Sequence, residues 1–204
     1  MGLRLITPPT SQVVTTEDMK THLRIDHTDD DTYIDLLIEA ATAHLDGQYG
    51  NLQRALNPQT WELVLSAFPL QDCYGHAWIE LPLAAPIITL DSIKYDLEAY
   101  EETIDPDLYE LDDVSVPARV RSLGTSSWPI ADLTVNPVRI RYTAGYAEES
   151  GASGVPAAIK HAIKIIVADL YDNRETVTPQ NVNKIDIPAS ADRLLHQYRI
   201  HVFA

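Results

Sequence analysis

The sequence predicts an α+β protein. A small helical bundle, built from two N-terminal helices plus a C-terminal helix, carries an inserted antiparallel β-rich lobe. Three observations predict it. Apolar residues recur with a helical period in residues 15–46 and again in 155–175. From Asn57 to Thr143 the period changes to two. Prolines at 58, 69, 82, 86, 106, 117, 129 and 137 punctuate that middle region, as suits short antiparallel strands.

Each element follows in order. Residues 1–14 read as an extended arm with a stop at Pro8-Pro9. TTEDMKTHL begins a short helix, capped by Thr15 with Asp18 three residues on. A second helix runs from about Asp29 to Asp46. Its residues Ile34, Leu37, Ile38, Ala41 and Leu45 share one face. Tyr33, Leu36 and Ala40 form a second apolar stripe beside it. A surface helix needs one stripe. Two stripes mean either contact with a second body, such as a neighbouring subunit, or burial on two sides within one domain. QTWELVLS, IITLDSIKYD, ARVRS and VRIRYT alternate as strands. GYAEESGASG reads as a loop, after which Val155-Pro156 opens a helix with Ile159, Ile163, Ile166, Val167 and Leu170 on one face. Residues 176–189 look like a linker, and SADRLLHQYRI offers a last short helix with Ser190 as N-cap. The expected division is an arm (1–14), a helical core (15–56 and 155–175), an inserted β lobe (57–145) and a C-terminal tail with a short helix (176–204).

Composition narrows the function. The net charge is −15 over 204 residues. Such a surface repels phosphates and argues against gripping DNA, though not against DNA passing close by. The single cysteine, Cys73, allows no intrachain disulfide and fits a reducing cytoplasm. MGLRLITPPT lacks a signal-peptide layout, and Ile6 stands where a myristoylation motif takes Ser or Thr. The apolar runs fall short of the roughly 20 residues a membrane helix needs. The reading is of a soluble protein made inside the cell.

The stretch HLRIDHTDDD places two histidines and four aspartates within ten residues. An EF-hand loop starting at Asp26 would put Asp31 where glycine is required and Leu37 where glutamate is required. His22 and His27 are five apart, whereas helical zinc pairs sit four apart. A helix start explains the cluster better. Asp29, Asp30 and Asp31 lie where carboxylates favour the macrodipole, and Thr28 can serve as N-cap. His44, His76, His161, His196 and His201 are scattered, and none pairs at ligand spacing with Cys73. GASGV and GTSSW fail as nucleophile elbows, and no nucleotide-cradling glycine motif occurs. Residues 91–113 hold ten acidic residues against Lys94 alone. The arginines of RVR (119–121) and RIR (139–141) could pair with that stretch across strands or face an acidic neighbour.

Taken in order, TTEDMKTHLRIDHTDDDTYIDLLIEAATAHLDGQYG, QTWELVLSAFP, SSWP, VRIRYTAGYA and VPAAIKHAIKIIVADLYDNRE resemble the head–tail connector (adaptor) proteins of long-tailed phages and gene transfer agents. The resemblance covers roughly residues 15–175, and IPASADRLLHQYR matches in style. It implies a non-enzymatic protein that forms a ring, commonly of twelve subunits, below the portal protein. Such a ring extends the DNA channel and docks stopper or tail-completion proteins. DNA passes through without specific binding, and purified subunits can be monomers. The implied place is the virion head–tail interface, assembled in the bacterial host cytoplasm, with no membrane contact. The smallest members lack the 57–143 lobe. No catalytic, metal or cofactor-binding residue is expected, and no cofactor. Candidate subunit or partner contacts are Tyr33, Leu36 and Ala40, then Arg139 and Arg141, then Leu194, Leu195 and Tyr198. Rival readings are a head-completion stopper or tail-terminator, an acidic DNA mimic, and a small metal-dependent hydrolase built on His22, Asp26, His27 and Asp29–Asp31.

Overall fold

The structure, a computed structural model, describes residues 1–70, 77–98, 100–123, 128–132, 134–148, 153–173 and 187–200. Cys73 lies outside these residues, as does most of the expected 176–189 linker. The fold is α+β, with four α-helices and two antiparallel sheets among the described residues. The chain divides into two compact units. A β unit comprises Met1–Thr10 and Arg54–Ala147, and a helical unit comprises Ser11–Gln53 and Glu148–Ala204.

Among the described residues the β unit has the strands β1 Gly2–Thr7, β2 Gln59–Leu65, β3 Trp78–Glu80, β4 Ile87–Leu97, β5 Tyr100–Thr103, β6 Tyr109–Asp112, β7 Arg119–Ser122 and β8 Val138–Ala144. The larger sheet has the order β1-β2-β8-β4-β5 and the smaller β3-β7-β6. Alternation decides the faces. Val138, Ile140, Tyr142 and Ala144 of β8 are buried, and Trp61 and Leu63 of β2 share their core with Ile79 and Val120 of the smaller sheet. The phenol of Tyr142 donates to the Pro82 carbonyl at 2.5 Å, and burial pushes its ionisation up. Residues expected as a separate arm enter this sheet, because β1 pairs with β2 from Gly2 opposite Val64 to Thr7 opposite Thr60. The missing signal is tertiary: an edge strand of six residues is defined by the strand it borders.

The helical unit contains α1 Thr16–Leu23, α2 Asp31–Leu45, α3 Ala157–Asp172 and α4 Ala189–Leu195, the last followed by a 3-10 turn at His196–Tyr198. α3 packs against α2 and α4, and α1 against α2. Met19, Ile34, Ile38, Leu45, Ile159, Ile163, Val167, Leu195 and Ile200 fill the core. Thr15 caps α1 by accepting from the Asp18 N–H at 3.1 Å. α2 begins later than expected, with Asp30 rather than Thr28 at its N-cap and no side-chain cap bond. The carboxylates there have other work: Tyr171 donates to Asp30, and Lys20 meets Asp31 at 2.9 Å. α4 likewise starts after Pro188, so Ser190 lies inside its first turn. Among the described residues, no helix is long and apolar enough to cross a membrane.

Candidate interface surfaces

The second helix of the sequence reading carries its two stripes on different footings. Ile34, Leu37, Ile38, Ala41 and Leu45 are buried within the helical unit. Leu36 is 59% exposed, and Ala40 is exposed. Tyr33 is half-buried, with its ring 6.0 Å from that of Tyr171. Leu36 and Ala40 of the outer stripe are thus open to solvent, while Tyr33 packs on α3 through Tyr171.

The outer face of the larger β sheet is a charge lattice. Arg4, Glu62 and Arg141 stand opposite one another on β1, β2 and β8. Glu62 is 3% exposed and accepts from both arginines, with the Arg141 contact at 2.9 Å. Burial pushes its carboxyl up, but the hydrogen bonds and charges of Arg141 and Arg4 outweigh that and hold it below the ordinary value. Also on β8, Arg139 reaches the next two strands, donating to Asp96 of β4 at 2.5 Å and to Glu101 of β5 at 2.9 Å, while Lys94 of β4 donates to Glu101 at 2.6 Å. Asp96 is held low by Arg139, and Glu101 by Lys94 and then Arg139, in each case against desolvation.

The smaller sheet repeats the pattern. Arg119 donates to Asp112 at 2.9 Å and Arg121 to Glu110 at 2.7 Å, and both guanidinium groups lie over the Trp78 ring. Asp112 is held well below the carboxylate range by the Ser115 hydroxyl and then by Arg119. Within the chain, Arg119, Arg121 and Arg139 pair with the acidic stretch, and Arg141 pairs with Glu62, which lies outside it. Glu62 escaped the sequence reading, although its place between Trp61 and Leu63 puts it on the face opposite the core.

The remaining candidates separate. Leu195 is fully buried and belongs to the helical core, which removes it from any outer surface. Leu194 and Tyr198 are half-buried. At the α1–α2 junction, His22, Asp26, His27 and Asp29 are all exposed, and the His22 ring meets that of His161 edge-on at 5.8 Å. Asp30, Asp31 and His22 make contacts to Tyr171, Lys20 and His161, and among the described residues no group of three or more His, Cys, Asp or Glu comes together in a metal-holding arrangement.

Residues 14–72 match the family model described as phage gp6-like head-tail connector protein. The whole chain is similar to a chain from the neck of an empty GTA particle computed with C6 symmetry, at 20% identity and a TM-score of 0.75, covering 100% of this chain and 98% of that one. It is also similar, with the same coverages, to a chain from the virion of a native gene transfer agent (GTA) particle, at 20% identity and a TM-score of 0.67. A chain from the neck of a native GTA particle computed with C12 symmetry matches at 19% identity and a TM-score of 0.67, again over 100% and 98%. No curated protein matches. The connector resemblance carried by the residues is thus found independently in the family comparison, and the likeness to the particle chains is one of fold.

Proposed function

We propose that this chain is a structural connector of a phage or gene-transfer-agent neck, working as a ring of its own copies between a portal protein and a stopper or tail-completion protein. One observation carries the proposal. The segment 14–72 matches the connector family, and that same segment begins a chain whose full length has the fold of neck chains. The ring size suggested by the likeness is six-fold or twelve-fold.

The surfaces fit such work. A ring subunit presents two different patches to its two neighbours. The outer stripe of α2, with Leu36 and Ala40 exposed beside Tyr33, supplies one apolar patch. Arg139, Arg141, Leu194 and Tyr198 are the remaining partner candidates, with the arginines acting as parts of a paired lattice rather than as lone cations. A net charge of −15 suits a channel wall along which DNA slides, because tight binding needs Lys and Arg to neutralise phosphates. The chain acts without a reaction centre, and its place is the virion.

The test is Leu36→Glu. Its position is exposed, so helicity at 222 nm stays as in the parent protein. Purified particles made with this variant contain the chain at a small fraction of the parent level. Parent particles that lack the chain, or carry it outside the neck in image reconstructions, sink the proposal.

A further inference from the structure

The antiparallel registers bring one end of each strand of the larger sheet to a common edge of the β unit. Gly2 lies opposite Val64, Leu65 opposite Val138, Val138 opposite Tyr95 and Leu97 opposite Tyr100. The other end of this sheet is marked by Thr7 opposite Thr60 and by Gln59 opposite Ala144. Apolar side chains gather at the far edge. Leu70, Ile130 and Val135 are 92, 87 and 88% exposed, and Leu97 and Tyr100 are exposed on the β4–β5 turn.

The loops that carry these residues are anchored. Phe68 stacks on Trp128 with ring centroids 5.2 Å apart, and meets Tyr95 edge-on at 5.9 Å. The Trp128 indole donates to the Ala77 carbonyl at 2.7 Å, and the Asp132 N–H donates to the Asp96 carbonyl at 2.9 Å. Leu70 and Ile130 each stand two residues beyond a member of that stack. Apolar groups held in place lose little ordering entropy on binding, and an exposed apolar cluster rimmed by polar groups marks an interaction site.

The rim has a sign. Asp96, Glu98, Glu101 and Asp132 stand there against Lys94 and Arg139, and both cations already pair with Asp96 or Glu101. Residues 1–10 and 54–147 hold 14 acidic and 7 basic residues, a net of −7. Residues 11–53 and 148–204 hold 16 acidic and 8 basic residues, so neither unit of a second copy offers an excess of Lys and Arg to this rim, and like charges across an interface are costly. An apolar patch rimmed by Lys and Arg is complementary.

We infer that this edge of the β unit is a docking surface for a non-identical protein of the assembly, one whose contact face is apolar and rimmed by Lys or Arg. The inference rests on the connector reading and gives the β unit a role within it. The test places a benzophenone amino acid at Val135, and separately at Ile130, in chains assembled into particles, with exposed Glu80 as the control position. Irradiation yields a cross-link to one non-identical chain, at least several-fold above the control, and the attached peptide is apolar with net positive charge. A cross-link to another copy of this chain, a cross-link to an acidic segment, or no cross-link above control overturns the inference. Each of those outcomes leaves the connector reading standing, since the chain is then in the particle. Particles without the chain overturn both.

Discussion

Glu62 lies almost out of water on a strand flanked on both sides, and its charge survives there because Arg4 and Arg141 reach it from the neighbouring strands. The arginines are partly exposed, so each single loss is softened by solvent. Arg141→Ala is expected to cost about 1–2 kcal/mol in urea unfolding, the lower part of the range for a charged hydrogen bond. Removing Arg4 as well strands a buried carboxylate. The double variant should lose about 3 kcal/mol or more, exceeding the sum of the singles. Burial alone then acts on Glu62, and its carboxyl, followed by NMR, should titrate above the ordinary range instead of below it. Additive losses with an unmoved titration would mean that the two arginines do not hold Glu62. The lattice was only half legible in sequence. Alternation showed that the arginines share a face, but the partner of each depended on β8 lying between β2 and β4, an order that sequence neighbours do not reveal.

Among the elements, the clearest sequence signals were those set by local periodicity and caps. α1 starts at the expected Thr15, and the core face of α2 contains the five expected residues. The outcomes that sequence missed were set by contacts between distant segments. β1 is a strand because β2 borders it, and Leu195 is inside because α4 packs on α3. The end of β8 shows how narrow such contacts are. Gly145 has φ +123°, and a Cβ built there would stand 2.2 Å from the Asn57 carbonyl oxygen. Gly145→Ala should therefore destabilise the β unit by roughly 2 kcal/mol or more, from backbone strain and a clash with main chain. Gly2→Ala is the control, since nothing lies within 4 Å of its added methyl. Equal thermal midpoints for the two variants would show that the turn after β8 yields freely.

At the scale of the whole molecule, the shifted titrating groups divide between the two units, His22 in one and Glu62, Asp96, Glu101 and Asp112 in the other, so acid should act on them in sequence. Trp61, Trp78 and Trp128 all belong to the β unit, and tryptophan emission therefore reports that unit. Ellipticity at 222 nm is dominated by the helical unit. His22 is exposed but partly desolvated beside His161, and that desolvation, then the charges of His161 and Lys164, lower it; Lys164 also faces Asp18 at 3.9 Å. The folded helical unit thus prefers neutral His22. The stability this gives is complete above the ordinary histidine value of 6.5 and is lost as pH falls through the lower folded value. Glu62, Asp96, Glu101 and Asp112 are also lowered, each by arginine, lysine or hydroxyl donors. Their contribution is complete above their ordinary values, the highest of which is 4.5, and is lost only below that point. Between pH 7 and pH 5 the thermal midpoint at 222 nm should fall while that of tryptophan emission stays level, and below about pH 4.5 the emission midpoint should fall steeply. His22→Gln should flatten the first slope and leave the second. Midpoints that coincide at every pH would show one cooperative body, and the separation of the two titrations would then have no structural basis.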